Sequence, residues 1–305
     1  MKSRTWKRIK QQRLYYLLVI PGLLYFLIFH YVPMYGLTIA FKNVSPFDGL
    51  RGILSAEWVG LRHFENFVNS YYFWNILRNT LLISLYRLLF GFPLPIILAI
   101  LFNEVRNVIF KRTVQTISYL PHFISMVVLC GLVTTLLSTD GGFVNGLLVK
   151  LGFEPIMFLS DTRYFRSVIV ASGIWKEVGW NSIIYLAAIA GIDPQLYEAA
   201  TVDGANKFQQ IRHITLPGIT FIAVIMLILN IGHIMDAGFE QIFLLYSPAV
   251  YEVADIIDTY VYRKGLVEVQ YSYAAAVGMF KSVIALILVL GSNYIAKKFG
   301  QEGIW

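Results

Sequence analysis

The residues of this sequence with chemical potential are polar groups set inside long apolar stretches: His122 beside Pro121, the pair Lys176-Glu177, Asn181, Asn230, His233 and Asp236. A catalytic centre in an apolar interior needs several such groups converging from different segments. A water-filled path for a solute needs the same, because ionisable residues in such places line cavities or pair with one another. The five histidines, His30, His63, His122, His213 and His233, show no metal-ligand spacing, and no helix carries an H-E-x-x-H pair or a nucleophile-elbow serine. The nearest approach to a phosphate-cradling loop is Gly278-Met279-Phe280-Lys281-Ser282. Phe280 stands there where a glycine is needed beside the lysine, and the whole lies in an apolar run. No catalytic residue, no metal site and no nucleotide site is expected on this chain.

The segments that must position these groups are membrane spans. Of 305 residues, 57% are hydrophobic and only 14% charged, a balance that soluble domains of this size rarely show. A membrane helix needs roughly 20 apolar residues to cross ~30 Å of hydrocarbon. Six stretches meet that requirement, about 14–38, 76–102, 114–138, 167–190, 217–236 and 273–296. The second holds Arg78, Arg87 and two prolines, and reads as one long kinked helix or a broken pair. The fourth carries Lys176-Glu177 between Gly173 and Gly179, where closely packed helices or an aqueous path are expected. The basic head Met1 to Arg13 followed by an apolar run has two features of a signal peptide, but no small-residue cleavage site follows, so a retained first span is expected. The single Cys130, in an apolar run, excludes an internal disulfide and reads as a small buried hydrophobe.

The net charge of +7 sits mostly between the apolar runs, which argues against nucleic acid as a partner. With the N-terminus inside, residues 1–13, 103–113, 193–216 and 296–305 hold thirteen Lys/Arg, against eight in the longer segments 39–75, 139–166 and 237–272. Basic residues in short loops stay cytoplasmic, so both termini are expected in the cytoplasm. The external segments carry turn signals at Ser45-Pro46, Gly141-Gly142 and Ser247-Pro248 and offer a platform for something outside. The expected organisation is a basic N-terminus 1–13, a first span and external segment 14–72, a core 73–296 containing the loop 193–217, and a tail 297–305.

That loop, on the cytoplasmic side by charge, runs Glu198-Ala199-Ala200-Thr201-Val202-Asp203-Gly204 and on to Ile214-Thr215-Leu216-Pro217. Pro194 can start a helix that continues through Leu196 to Val202, and Gly204 can supply the positive φ of a reversal. Phe208, Ile211 and Leu216 then recur at near-helical spacing until Pro217, which is expected to open the next helix as its first residue. A short helix-turn-helix at the membrane surface results.

The pattern Glu-Ala-Ala, three residues, Gly, nine residues, Ile-x-Leu-Pro resembles the coupling-loop signature of permease subunits of binding-protein-dependent ABC importers. Every fixed position is met, by Glu198, Ala199, Ala200, Gly204, Ile214, Leu216 and Pro217. The stretch Trp175-Lys176-Glu177 through Asp193-Pro194 and the ending Glu302-Gly303-Ile304-Trp305 resemble the sugar-importing branch, in particular the lipo-oligosaccharide and alginate-oligosaccharide permeases. The resemblance implies an all-α, polytopic bundle of six transmembrane helices with the type I ABC importer permease fold, in the bacterial cytoplasmic (inner) membrane. It implies as partners two ATPase subunits that hold the ATP and Mg, a second and non-identical permease, an extracytoplasmic solute-binding protein and a carbohydrate solute. In the loop, a small-residue face of Ala199, Ala200 and Ala205 permits close approach to a cleft on the ATPase. Glu198 offers a charge to a basic group there, Asp203 accompanies the turn and Gly204 lets it close.

In that setting the solute pathway falls to Trp175, Lys176, Glu177, Trp180, Asn181, Tyr185, Asn230, His233 and Asp236. The aromatics can stack on sugar faces and the amides exchange hydrogen bonds with hydroxyls. Ordinary aromatic packing and an internal Lys176-Glu177 ion pair account for the same residues. Arg78, Arg87 and Lys281 hint at an anionic sugar such as alginate, and snorkelling towards helix ends explains them equally. The same architecture would serve a different solute. A stand-alone secondary transporter calls for inverted repeats and paired discontinuous spans, and neither is visible.

Overall fold

The computed structural model describes residues 12–45, 47 and 49–298. The basic head before Gln12, Pro46, Asp48 and the ending from Phe299, with its Glu302-Gly303-Ile304-Trp305, lie outside the described residues. The described residues are nearly all helical; an isolated bridge between Lys42 and Trp58 is their only β pairing. Contacts divide the chain into residues 1–70 with 261–280, and residues 71–260 with 281–305.

In the first unit, helix α1 (Arg13–Phe26) buries none of its residues and continues through a π turn and a short 3-10 stretch to Phe41, with Ala40 the first to be buried. A helix apolar all round and uncovered by its own chain suits lipid or another subunit. The segment that follows is tied by Lys42, whose Nζ donates to the carbonyls of Ile53 (2.7 Å) and Leu54 (3.3 Å), and by Phe41 stacked on Trp58. Phe67 is buried edge-on against Tyr273 and Phe280.

The second unit holds α2 (Phe73–Gly91), α3 (Pro93–Glu104), α4 (Val108–Tyr119), α5 (Met126–Leu137), α6 (Phe165–Ala190), α7 (Pro194–Val202), α8 (Lys207–Gln210) and α9 (Leu216–Gly232). The last long helix, α10 (Tyr271–Lys298), belongs in part to each unit. Among the described residues four helical runs are long and apolar enough to cross a membrane: Arg13–Phe41, Phe73–Glu104, Lys207–Gly232 and Tyr271–Lys298. Helix α6 is 26 residues long but stands outside that set, its middle being occupied by Lys176, Glu177 and Asn181.

Three expectations from sequence acquire definite forms. The second stretch is one helical run from Phe73 to Glu104: Phe92 keeps helical angles (φ −75°, ψ −45°), and the run passes through Pro93, which cannot donate to the carbonyl four residues back. The third stretch, expected as one helix over 114–138, is broken: α4 with its 3-10 extension to Phe123 and α5 meet at 105°. Ile124 and Ser125 are extended there, and the Ser125 hydroxyl accepts from the Val128 amide to start α5. The expectation that Pro217 opens a new helix is also corrected. The helix runs unbroken from Lys207 to Gly232, and a π turn over Ile211–Thr215 precedes the proline. A proline ring crowds the carbonyl four residues back and lacks a donor; the widened turn absorbs both defects.

The core of this unit has two centres. Ile83, Cys130, Phe165, Ile169, Ile242 and Ile256 pack in one, confirming Cys130 as a buried, free thiol. Ala99, Tyr185, Ile189 and Ile219 pack in the other. Between α4 and α6 the approach is so close that a Cβ on Gly179 would overlap the Ser118 backbone, which explains the glycine in a span otherwise free to carry side chains.

Candidate functional site

Two constellations within the second unit carry the candidate residues. The first is the loop 193–217. Asp193 caps α7 by accepting from the Gln195 amide (2.9 Å), and Pro194 follows at a first-turn position. The helix ends in a Schellman-type closure, with the Ala205 amide bonded to the Ala200 carbonyl (2.9 Å) and Gly204 at φ +78°. Asn206 and Gln209 then form a capping box, each side chain bonding the other's backbone amide at 3.0 and 2.7 Å.

Sequence reasoning missed what holds the two halves together. Gln210, only 5% exposed, donates from Nε2 to Thr201 Oγ1 (3.0 Å) and the Ala205 carbonyl (3.4 Å), while the Tyr197 hydroxyl meets Thr215 Oγ1 at 3.0 Å. A buried glutamine in a surface loop is a signal only once the helix-turn-helix is in place. Lys207 pairs with Glu104 at the end of α3 (3.4 Å), an exposed contact worth little by itself. Glu198, Ala199, Asp203, Gly204, Leu216 and Pro217 are exposed, and Ala200 and Ile214 are half-buried. Val202 (88% exposed) and Phe208 (71%) flank the turn and add apolar surface to it.

The second constellation is a cavity of about 330 Å³. Glu177, Asn181, Asn230, His233 and Asp236 line it together with Ser84, Arg87 and Gly238. Five of the nine pathway candidates are thus brought together. The other four are placed elsewhere. Tyr185 is buried in the core beside Ala99 and Ile219, so it faces no solute space. Trp180 stacks on His122 with ring centroids 4.5 Å apart, and Trp175 lines an apolar groove with Leu94, Leu98 and Pro121.

Lys176 is buried and donates to the carbonyls of His122 (2.5 Å) and Ile124 (2.9 Å). Those carbonyls lose their helical partners at the 105° break, and hydrocarbon offers them none. Its main task is therefore to satisfy the break, with Glu177 3.7 Å away as a looser ion-pair partner. Glu177 makes its shorter contact with His122 Nδ1, at 2.9 Å.

The remaining charges are matched among themselves. Lys281 donates to Asp236 (2.7 Å) and to Asp258 (2.7 Å), and His233 Nδ1 lies 3.3 Å from Asp236. Neither Lys281 nor Arg87 snorkels to a helix end. Arg87 Nη2 donates to Gln241 Oε1 (2.5 Å), and Gln241, fully buried, donates in turn to Ser172 Oγ (2.7 Å). Neither Gln241 nor Ser172 announces itself in the sequence. Among the described residues no group of three His, Cys, Asp or Glu is placed to hold a metal ion.

This arrangement, an apolar helical scaffold enclosing a polar cavity with a rigid exposed loop at one side, defines a membrane transport subunit. Residues 91–301 match the family of binding-protein-dependent transport system inner membrane components, and the chain belongs to that family. It is 49% identical over 304 residues to the polygalacturonan/rhamnogalacturonan transport system permease protein YteP of Bacillus subtilis (strain 168), covering 100% of this chain and 94% of that one. It is 48% identical over 305 residues to protein LplB of the same organism, covering 100% and 95%. Its fold is similar to that of a bacterial ABC transporter involved in the import of the acidic polysaccharide alginate, with a TM-score of 0.90 and 46% identity over 97% of this chain and 99% of that one. A bacterial alginate ABC transporter in complex with an alginate pentasaccharide-bound periplasmic protein gives 0.91 and 44%, covering 99% and 100%. The chain is a multi-pass inner-membrane permease with the type I ABC importer fold.

Proposed function

We propose that this chain carries a carbohydrate, an oligosaccharide, across the bacterial cytoplasmic membrane as one permease of an ATP-driven importer. The observation that carries the reading is the loop 193–217: an exposed helix pair, clasped internally by Gln210 and Tyr197, with Glu198 unpaired among the described residues and Ala199 open beside it. A rigid part with a small-residue face suits seating in a cleft of another subunit and transmitting its displacement into α6 and α9. Similarity to YteP and to the alginate importer supports a sugar as cargo.

In this reading the chain crosses six times with both termini in the cytoplasm, α4 with α5 forming one broken crossing and α6 another. The first span and external segment 14–72 precede a core 73–296. Two ATPase subunits bind ATP and Mg and hydrolyse the nucleotide below the membrane, and a second, non-identical permease completes the path. An extracytoplasmic binding protein delivers the sugar to the cavity lined by Glu177, Asn181, Asn230, His233 and Asp236.

The test is uptake of labelled oligosaccharides into vesicles holding the permease pair with the ATPase inside and the binding protein outside. Uptake is expected only with ATP and binding protein both present. Uptake that continues without ATP contradicts the reading.

A further inference from the structure

The central cavity holds a cation that feels the Glu177 carboxylate across it but makes no direct ion pair among the described residues. Arg87 lies near the middle of the helical run Phe73–Glu104, lines the cavity, and has one hydrogen bond, to the neutral amide of Gln241. Its Nε is buried without a hydrogen-bond partner, and it makes no ion pair with any described carboxylate. The two acids that share the cavity are engaged elsewhere, Glu177 by His122 at 2.9 Å and Asp236 by Lys281 at 2.7 Å. A guanidinium held inside the membrane zone without a directly bonded anion is costly, and such residues mark the path of a charged ligand.

The site is built to hold that guanidinium in place. Gln241 is oriented by its own bond to Ser172, which presents Oε1 to Arg87. Gly238, at φ +80°, packs where a Cβ would overlap the Arg87 guanidinium, and a Cβ on Gly173 would sit 3.2 Å from Gln241 Oε1 and 3.4 Å from Arg87 Nη2. Side chains at either position would displace the head group. Around it, Asn181, Asn230 and His233 supply further hydrogen-bonding groups.

We propose that Arg87 reads the charge of the cargo: a sugar carboxylate, as in a uronate unit, pairs with its guanidinium while hydroxyls of the same ring bond the cavity amides. The planar fork of arginine matches a carboxylate with two parallel bonds, and a neutral sugar would leave it unmatched. This inference rests on the sugar-import reading above and adds the chemical class of the sugar and the residue that selects it.

The test uses the full importer in vesicles with trigalacturonate as acidic probe and maltotriose as neutral probe, comparing Arg87, Arg87→Lys and Arg87→Gln at equal amounts of assembled complex. The expected result is ATP-dependent uptake of trigalacturonate that falls about tenfold to a hundredfold in Arg87→Gln, the range for losing a charge-assisted bond. Arg87→Lys should recover a substantial part, because it keeps the charge and loses only the fork. Undiminished uptake in Arg87→Gln, or a lysine variant as poor as the glutamine one, overturns the assignment. A complex that imports maltotriose and refuses trigalacturonate overturns it too. A complex that imports neither probe with ATP and binding protein present contradicts the carbohydrate reading itself.

Discussion

The loop 193–217 and the central cavity are built by opposite means. Apart from the exposed Lys207–Glu104 contact, the side-chain bonds that shape the loop close within it: Asp193 to Gln195, Asn206 with Gln209, Gln210 to Thr201, Tyr197 to Thr215. The cavity instead draws Arg87, Glu177 and Asp236 from three separate helical stretches, and its polar contacts reach further still, to His122 and Lys281. On the function proposed above, the part that moves as one piece is made stiff by short-range capping, whereas the part that opens to a solute is assembled from elements able to shift against one another.

The contrast implies that damage to the cavity scaffold should be global and damage to the loop local. The largest effect is expected from Gly179→Val, since even its first added carbon overlaps the Ser118 backbone, which has little room to yield. A loss of about 3 kcal/mol is expected from such overpacking, read as a lowered melting temperature of the detergent-solubilised protein. Lys176→Met comes next. It leaves the His122 and Ile124 carbonyls without their donor at the break, and about 2 kcal/mol should be lost in the same measurement. An unchanged melting temperature would mean that the 105° break is satisfied in some other way. The smallest effect belongs to Asn206→Ala, which removes one cap at a cost of about 1 kcal/mol. Amide exchange should quicken about fivefold over residues 199–212 and not in α6; a matching change in α6 would erase the distinction between local and global.

The same contrast explains what was legible in the sequence. The loop was readable almost residue by residue, because caps, a positive-φ glycine and near-helical spacing are local codes: Pro194, Gly204 and the helix on each side all stand where the pattern placed them. Its one misread point, Pro217 as a helix start, turned on a π turn that leaves no mark in residue type. The spans were legible as apolar runs, but the break at Ile124 was not. It depends on Lys176, more than fifty positions away, supplying the donor that makes an extended residue tolerable there. The cavity was legible in only some of its members. Asn181, Asn230 and Asp236 stand out as polar groups in apolar surroundings, whereas the burial of Tyr185 and the bond from Gln241 to Arg87 arise only from packing between distant helices.

The claim on which the account rests is that the loop delivers the force that moves the cavity, and Gly204 tests it most directly. Nothing lies within 4 Å of where its Cβ would be, so a substitution there acts through the backbone alone. At φ +78° asparagine is tolerated and a β-branched residue is not. The measurement is ATP hydrolysis by the assembled importer in vesicles, stimulated by the loaded binding protein, for Gly204→Val and Gly204→Asn at equal amounts of inserted permease. Valine should abolish the stimulated hydrolysis and asparagine retain most of it; full stimulation in the valine variant would contradict the account.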